Sequence, residues 1–253
     1  HRTLRGHAAL STPWTSTSAP RGVAASPAQD ESWRQPADAA LVSGRELAER
    51  YFIPLAQSDL LVDSLHEQTQ VVSVGRPTLY KTDAVDTETR ADEEFRILLR
   101  DAQGAERVAQ ADVVIDATGV YGQHNWLGVG GIPAVGESRA AARIEYGLPD
   151  VNGSDRANYA GRRVLVVGSD LFAATTVVSL AALVPRPEVI WVTRVVPGTT
   201  PDASSGAVML VKDDPLSARD QVVRQASALA KSPAGGVAHW PETMVEQVEW
   251  LEA

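Results

Sequence analysis

The fold of this chain is decided by Arg162-Arg163-Val164-Leu165-Val166-Val167-Gly168-Ser169-Asp170-Leu171-Phe172-Ala173-Ala174. The apolar run in its first half predicts a strand of a parallel sheet, because such strands are buried on both faces. A glycine and several small residues follow, and they predict a tight turn and then a helix that packs closely on the strand. The stretch is therefore predicted to begin a βαβ unit of an α/β domain.

The turn matches two of the three small-residue positions of the dinucleotide-binding fingerprint G-x-G-x-x-G/A. Gly168 stands at the first position and Ala173 at the last, whereas Asp170 replaces the middle glycine. In such units the pyrophosphate of the nucleotide lies on the N-terminus of the helix, against the backbone of this turn. The turn is therefore a candidate nucleotide site, and it includes Ser169.

Asp170 has two interpretations. Its carboxylate would stand beside the pyrophosphate, and a like-charge pair at about 4 Å costs about 4 kcal/mol at an effective dielectric constant near 20. Aspartate is also a favoured N-cap residue, so the same side chain would stabilise the helix of a βα unit that binds no nucleotide. The sequence leaves both interpretations open.

Composition and charge exclude several classes of protein. The chain has 253 residues, which suits one large or two modest domains, and its 44% hydrophobic content is ordinary for a globular protein. No basic segment offsets the net charge of −9, so we expect no nucleic-acid partner. No apolar run reaches 18 residues and no secretory signal peptide is visible, so we expect a cytoplasmic protein without a membrane partner.

The cysteine and histidine content excludes further kinds of functional site. The absence of cysteine excludes a disulfide framework, a thiolate metal site and a Cys-x-x-Cys redox pair. The five histidines show no ligand-like spacing on a shared element, so no metal site is predicted.

A helix is predicted just after an irregular N-terminal region. The first 36 residues are polar, rich in Ser and Thr and without a period of 2 or 3.6, which indicates loop or disorder. Residues 43–46 then form a capping box, Ser-Gly-Arg-Glu. Leu47, Tyr51 and Leu55 fall on one face of the helix that follows, and Pro54 is expected to end or bend it.

An antiparallel meander is predicted in the middle of the chain. Its strand candidates are residues 70–75, 95–100 and 107–109. The run 112–119 that follows predicts a strand buried on both faces of a larger sheet, because its apolar residues do not alternate with polar ones.

The last third of the chain is predicted to alternate helices and strands, as a parallel sheet requires. The predicted elements after the glycine turn are a helix over 173–183, a strand over 189–194, a loop over 197–206, a helix over 217–231 and a strand over 237–240.

The order of these features resembles that of FAD/NAD(P)-dependent oxidoreductases of the flavin-containing monooxygenase and pyridine nucleotide-disulfide oxidoreductase type. The run 112–119, with its Ala-Thr-Gly ending, looks like the strand that returns to the flavin domain in these proteins. Residues 161–164 and the Gly168 turn resemble the start of their nicotinamide-nucleotide domain. The resemblance covers the chain from about Gly44 to Trp250.

The resemblance implies an α/β protein of two Rossmann-like dinucleotide-binding domains, of which the FAD domain is incomplete. It implies that residues 1–43 are an irregular segment, 44–124 a partial FAD-binding domain, 125–160 a linker and 161–253 an incomplete NAD(P)-binding domain. The residues it places near FAD are Ala117, Thr118 and Gly119. Those it places at the nicotinamide nucleotide are Gly168, Ser169, Asp170, Ala173 and Arg194.

Arg194 bears on which nicotinamide nucleotide is used. It stands 26 positions after Gly168, about where a Rossmann unit places the residue that contacts the adenosine ribose. An acid there accepts a hydrogen bond from the 2′-hydroxyl of NAD, whereas an arginine accommodates the 2′-phosphate of NADP. The resemblance therefore favours NADPH, and the alternative is an exposed cation at a strand end.

The chain departs from the family in several ways. No G-x-G-x-x-G turn precedes the meander, the segment 128–133 ends its similar pattern in proline, and residues 152–159 lack the F-x-G-x-x-x-H motif of flavin-containing monooxygenases. The absence of cysteine excludes a disulfide-exchange mechanism. We therefore expect a piece of a longer oxidoreductase, truncated at both ends.

Three functions remain open on the sequence alone. The first is an FAD-dependent, NADPH-driven oxidoreductase that acts on a small organic molecule, of which this chain is either a working part or an inactive fragment. The second is a non-catalytic Rossmann-like module that binds nucleotide weakly or serves as an interaction surface. The third is a regulator that binds a nicotinamide nucleotide without flavin.

Overall fold

The computed structural model describes residues 6–119, 122–194, 207–232 and 235–251. The loop predicted over 197–206 lies outside the described residues. Contacts divide the chain into two compact units, His1–Leu55 with Gln123–Ala253, and Ala56–Gly122. The helix predicted after residue 43 thus groups with the first unit, whereas the sequence placed residues 44–124 in one domain.

The N-terminal region contains two helices, α1 (Trp14–Thr17) and α2 (Pro20–Gln29), so the prediction of loop or disorder over the first 36 residues is wrong there. Trp14 is fully buried and packs edge-on against Tyr51, with ring centroids 5.5 Å apart. The two residues are 37 positions apart, so the polar local composition gives no sign of this contact. A buried aromatic side chain contributes much of the energy of a small core, and this contact therefore stabilises the N-terminal helices.

The predicted capping box is confirmed at the start of α3 (Gly44–Leu47). The backbone N–H of Glu46 donates to Ser43 Oγ (3.1 Å), and the N–H of Ser43 donates to the Glu46 carboxylate (2.8 Å). The helix continues through a π-helical turn (Ala48–Phe52) into α4 (Ile53–Ala56). The helix therefore ends two residues after Pro54. The π-helical turn, which is wider than an α-helical one, lies where the proline ring would otherwise clash with a backbone carbonyl.

The second unit is the predicted antiparallel meander. Its elements are β1 (Gln70–Gly75), α5 (Glu88–Asp92), β2 (Phe95–Arg100) and β3 (Glu106–Ala111). The strand order is β1-β2-β3, with antiparallel pairing throughout and a bulge at residue 72. Every residue of β1 is exposed, whereas Leu99 at the centre of β2 is 8% exposed.

The prediction of a buried strand over 112–119 is wrong. These residues form no strand, all of them are exposed, and Val113 and Ile115 are 71% and 84% exposed. A strand buried on both faces needs a neighbouring strand and covering layers. The described residues of the second unit provide neither beyond β3, so the apolar run has no partner in that part of the chain.

The first unit contains the predicted parallel sheet. After the short helices α6 (Glu137–Ala140) and α7 (Arg156–Tyr159), the chain forms β4 (Arg163–Val167), α8 (Leu171–Ala181), β5 (Glu188–Val192), α9 (Ser217–Lys231) and β6 (Val237–Trp240). The strands are parallel in the order β4-β5-β6. Trp191, Leu180 and Val177 are fully buried in the core between the sheet and the two long helices.

The α/β class is confirmed, since the chain combines a parallel and an antiparallel sheet. Two complete Rossmann domains are not seen in the described residues. The parallel sheet is one βαβαβ unit, which is half of a doubly wound domain, and the second unit contains antiparallel strands only. Within the described residues, no helix is long and apolar enough to cross a membrane.

Candidate functional site

The glycine turn follows β4 as predicted. Gly168 has φ +134°, a backbone conformation that glycine adopts far more readily than other residues. Its N–H donates to Val192 O (3.0 Å) and its carbonyl accepts from Trp191 Nε1 (2.9 Å). A Cβ at this position would meet only the Ala173 methyl at 3.7 Å, an ordinary contact. Glycine is therefore required here by backbone geometry and not by lack of space.

Asp170 is the N-cap of α8. Its Oδ1 accepts a hydrogen bond from the N–H of Ala173 at 2.9 Å. A helix begins with four N–H groups that have no partner within the helix, and these groups bind phosphate in dinucleotide domains. Here the protein's own carboxylate takes one of them. An anion at this helix terminus would have to displace Asp170 or accept a like charge beside it.

The turn and Arg194 lie at the same edge of the sheet. Val167 of β4 pairs with Val192 of β5, and Val192 pairs with Trp240 of β6, so the carboxyl ends of the three strands are aligned. Arg194 follows Val192 by two residues and is exposed. The structure thus brings the five residues predicted for a nicotinamide nucleotide to one edge, where α/β sheets bind ligands.

Two polar side chains just inside this edge, one buried and one partly buried, were not predicted. Thr193 is 1% exposed, and its Oγ1 lies 3.0 Å from Nε2 of His239 on β6. Burial lowers the pKa of His239. In the sequence both residues look like ordinary strand positions, and only the pairing of β5 with β6 brings them together.

The three residues predicted to lie near FAD belong to the second unit, whereas the glycine turn belongs to the first. Ala117, Thr118 and Gly119 are exposed. The N–H and the hydroxyl of Thr118 both donate to Asp116 Oδ1, at 3.0 and 2.7 Å. These hydrogen bonds lower the pKa of the Asp116 carboxyl.

The described residues of the second unit do not by themselves fit a flavin dinucleotide. Its pyrophosphate requires a strand, a glycine-rich turn and a helix N-terminus. The described part of the unit contains three antiparallel strands and one five-residue helix that follows Thr87. An FAD site would therefore need protein groups in addition to these.

Another buried polar group, Glu137, lies in the first unit, in the stretch of chain that precedes β4. Its side chain is fully buried and accepts from the N–H of Leu127 (2.9 Å), the N–H of Ala134 (2.7 Å) and the hydroxyl of Tyr146 (2.8 Å). Burial alone would raise the pKa of Glu137, but the hydrogen bonds from Leu127, Ala134 and Tyr146 outweigh it and lower the pKa.

The same interaction affects Tyr146. Burial, followed by the hydrogen bond to Glu137, raises the pKa of the Tyr146 phenol to about 12. The ring of Tyr146 stacks on His124 with centroids 3.8 Å apart. Because several donors surround the Glu137 carboxylate, we assign it to holding the 127–146 segment together and not to proton transfer.

Comparison with known proteins supports the fold. No protein family and no curated protein matches this sequence. Among solved structures, the chain is similar to bacillithiol disulfide reductase Bdr (YpdA) from Bacillus cereus, with a TM-score of 0.55 and 14% identity, over 87% of this chain and 52% of that one.

A second solved structure is the FAD-bound cadaverine monooxygenase DfoA of the desferrioxamine biosynthetic pathway from Erwinia amylovora. Its TM-score is 0.42 at 16% identity, over 78% of this chain and 42% of that one. The chain thus spans about half the length of these two proteins or less. At such low identity the similarity to the bacillithiol disulfide reductase concerns the fold alone.

Proposed function

We propose that this chain is part of an FAD-dependent oxidoreductase that binds NADPH at the Gly168 turn and acts on a small organic molecule. The observation that carries the proposal is the position of Gly168, α8 and Arg194 at one carboxyl edge of a parallel βαβαβ unit. The fold shared with a disulfide reductase supports the same class.

The chain's own residues would bind and orient the nicotinamide nucleotide. The N–H groups at the start of α8 would receive the pyrophosphate, and the Arg194 guanidinium would pair with the 2′-phosphate. When bound, the nucleotide supplies a hydride, and the protein contributes its orientation. The described residues of the second unit do not fit the pyrophosphate of FAD, so FAD binding would need protein groups beyond these residues.

Asp170 decides how well this site works, and its two effects can be separated. Asp170→Asn keeps an N-cap side chain of similar strength but removes the charge, whereas Asp170→Gly also removes the cap. NADPH and NADH are titrated by calorimetry into the full chain and both variants, and the visible spectrum of each preparation is recorded for bound flavin.

We expect both variants to bind NADPH more tightly than the wild-type chain. Removing one like-charge contact partly screened by solvent should raise the affinity by at least about tenfold. NADPH should bind more tightly than NADH. Failure of all three proteins to bind either nucleotide would refute the proposed nucleotide site.

A non-catalytic Rossmann-like module is the second candidate function. The hydrogen bond from Ala173 N–H to Asp170 favours it, because the cap satisfies a group that a working site offers to phosphate. The absence of a glycine-rich turn from the described part of the second unit also favours a non-catalytic module. A colourless protein in which only the Asp170 variants bind NADPH would support this candidate.

A further inference from the structure

The Thr193–His239 pair lies directly beside the residue proposed to recognise NADPH. Thr193 is the first residue after β5 and Arg194 is the second. Thr193 is 1% exposed, and its hydroxyl lies 3.0 Å from the imidazole of His239, which is partly buried. The Thr193 hydroxyl is buried and contacts His239, so its effect on nucleotide binding would act through the neighbouring Arg194.

Thr193 is held by its backbone as well as by its side chain. Its N–H donates to Trp240 O at 3.1 Å, and its carbonyl accepts from Thr243 N–H at 3.1 Å. Together with the hydroxyl contact to His239, these hydrogen bonds tie Thr193 to β6 and the turn that follows it. The backbone at which Arg194 begins is therefore fixed on its N-terminal side.

The opposite side of β5 is tied to the glycine turn. Trp191 stands two positions before Thr193, is fully buried, and donates from Nε1 to Gly168 O at 2.9 Å. The end of β5 is thus held between the turn that would receive the pyrophosphate and the strand that carries His239. These contacts set the separation between Gly168 and Arg194.

Stability alone does not require a polar pair at this position. Replacing two hydrogen-bonded buried groups by apolar groups of the same shape is often nearly neutral in free energy of unfolding. A hydrogen bond differs from an apolar contact in that it is directional, so the hydroxyl and the imidazole fix one conformation of the strand end. Binding that relies on a long, flexible arginine benefits from such prior ordering.

We infer that the Thr193–His239 pair positions Arg194 and thereby sets the preference of this site for a nucleotide that carries a 2′-phosphate. This inference rests on the proposed function, in which Arg194 contacts that phosphate. NADH has a hydroxyl at the same position, so the pair acts on NADPH affinity and leaves NADH affinity nearly unchanged.

The test measures Kd for NADPH and for NADH by calorimetry with the full chain carrying Asp170→Asn. Thr193→Val removes the hydroxyl, Thr193→Ser retains it, and His239→Leu removes the same contact from β6. We expect Thr193→Val and His239→Leu each to lower the NADPH-to-NADH affinity ratio by about tenfold, the effect of weakening one hydrogen bond to a charged group. Thr193→Ser should restore the ratio.

Two further variants make the outcomes distinguishable. Thr17→Val removes a hydroxyl that donates to Trp14 O at 3.1 Å in the N-terminal helices, and the ratio should not change. Arg194→Gln tests the proposed contact itself. If it lowers the ratio while Thr193→Val does not, the positioning inference is refuted and the proposed function stands.

The remaining outcomes are also decisive. Equal weakening of NADPH and NADH by Thr193→Val would mean a purely structural role and would overturn the inference. An unchanged ratio in Arg194→Gln would remove the NADPH assignment, and the inference with it. Absence of binding in every variant would refute both, and urea unfolding of each variant identifies any that fail to fold.

Discussion

Replacement of Glu137 by alanine should destabilise the first unit strongly. The carboxylate is fully buried and accepts hydrogen bonds from Leu127 N–H, Ala134 N–H and the hydroxyl of Tyr146. Alanine leaves all three donors without this acceptor. The Tyr146 hydroxyl lies on a partly exposed residue and can turn toward water, but the two backbone groups are fixed by the segment that carries them.

The magnitude follows from the number of donors left without an acceptor. A buried polar group that loses its hydrogen-bond partner costs about 1–3 kcal/mol. Two backbone donors therefore give a loss of about 2–6 kcal/mol in the free energy of unfolding. This is a large share of the about 5–15 kcal/mol that stabilises a typical domain.

The assay is equilibrium unfolding in urea, followed by tryptophan fluorescence and analysed by linear extrapolation. Glu145→Ala is the matched control, because the Glu145 carboxylate is exposed and accepts a hydrogen bond from Gly147 N–H at 2.8 Å. We expect the control to change stability by less than about 1 kcal/mol. A loss in Glu137→Ala no larger than that of the control would refute the assignment of Glu137 as the group that holds this segment.

Three other predictions use the same unfolding measurement. Hydrogen bonds lower the folded-state pKa of Glu137, so its contribution to stability is complete above its unfolded pKa of about 4.3 and is lost as the pH falls further. The free energy of unfolding of Glu137→Gln should therefore decrease less steeply in acid than that of the wild-type chain. Ser43→Ala removes the cap of α3 and should cost about 1 kcal/mol, whereas Ser43→Asp should keep most of it. Asp170→Ala should cost about 0.5–2 kcal/mol and Asp170→Asn much less, and equal losses in both would contradict the N-cap assignment.

The parallel unit was largely predictable because its signals are local. The structure has a helix over Ser217–Lys231 and a strand over Val237–Trp240, with the bounds that the sequence predicts. Each helix or strand of this region has its own apolar pattern and its own turn residues. The connections between them are short, which restricts the order in which the strands can pair. The turn at Gly168 was predictable for the same reason.

Features that depend on distant contacts could not be predicted in this way. Trp14 is buried by Tyr51, and Thr193 meets His239 only because β5 pairs with β6. The run 112–119 shows the reverse case, since its composition is that of a buried strand and yet, in the described residues, it belongs to neither sheet. Local patterns indicate what a segment is suited to form, and its neighbours determine what it forms.

The exposed run Val113-Val114-Ile115 has a consequence for handling the protein. Unpaired apolar segments of high β-propensity are the sites at which chains self-associate into β-structure. Asp112 and Asp116 flank this run on either side, and charges in such positions discourage that pairing. The hydrogen bonds from Thr118 lower the pKa of Asp116, so its charge persists further into acid than that of an ordinary aspartate. Neutralisation of Asp116 in acid should therefore favour self-association through this run.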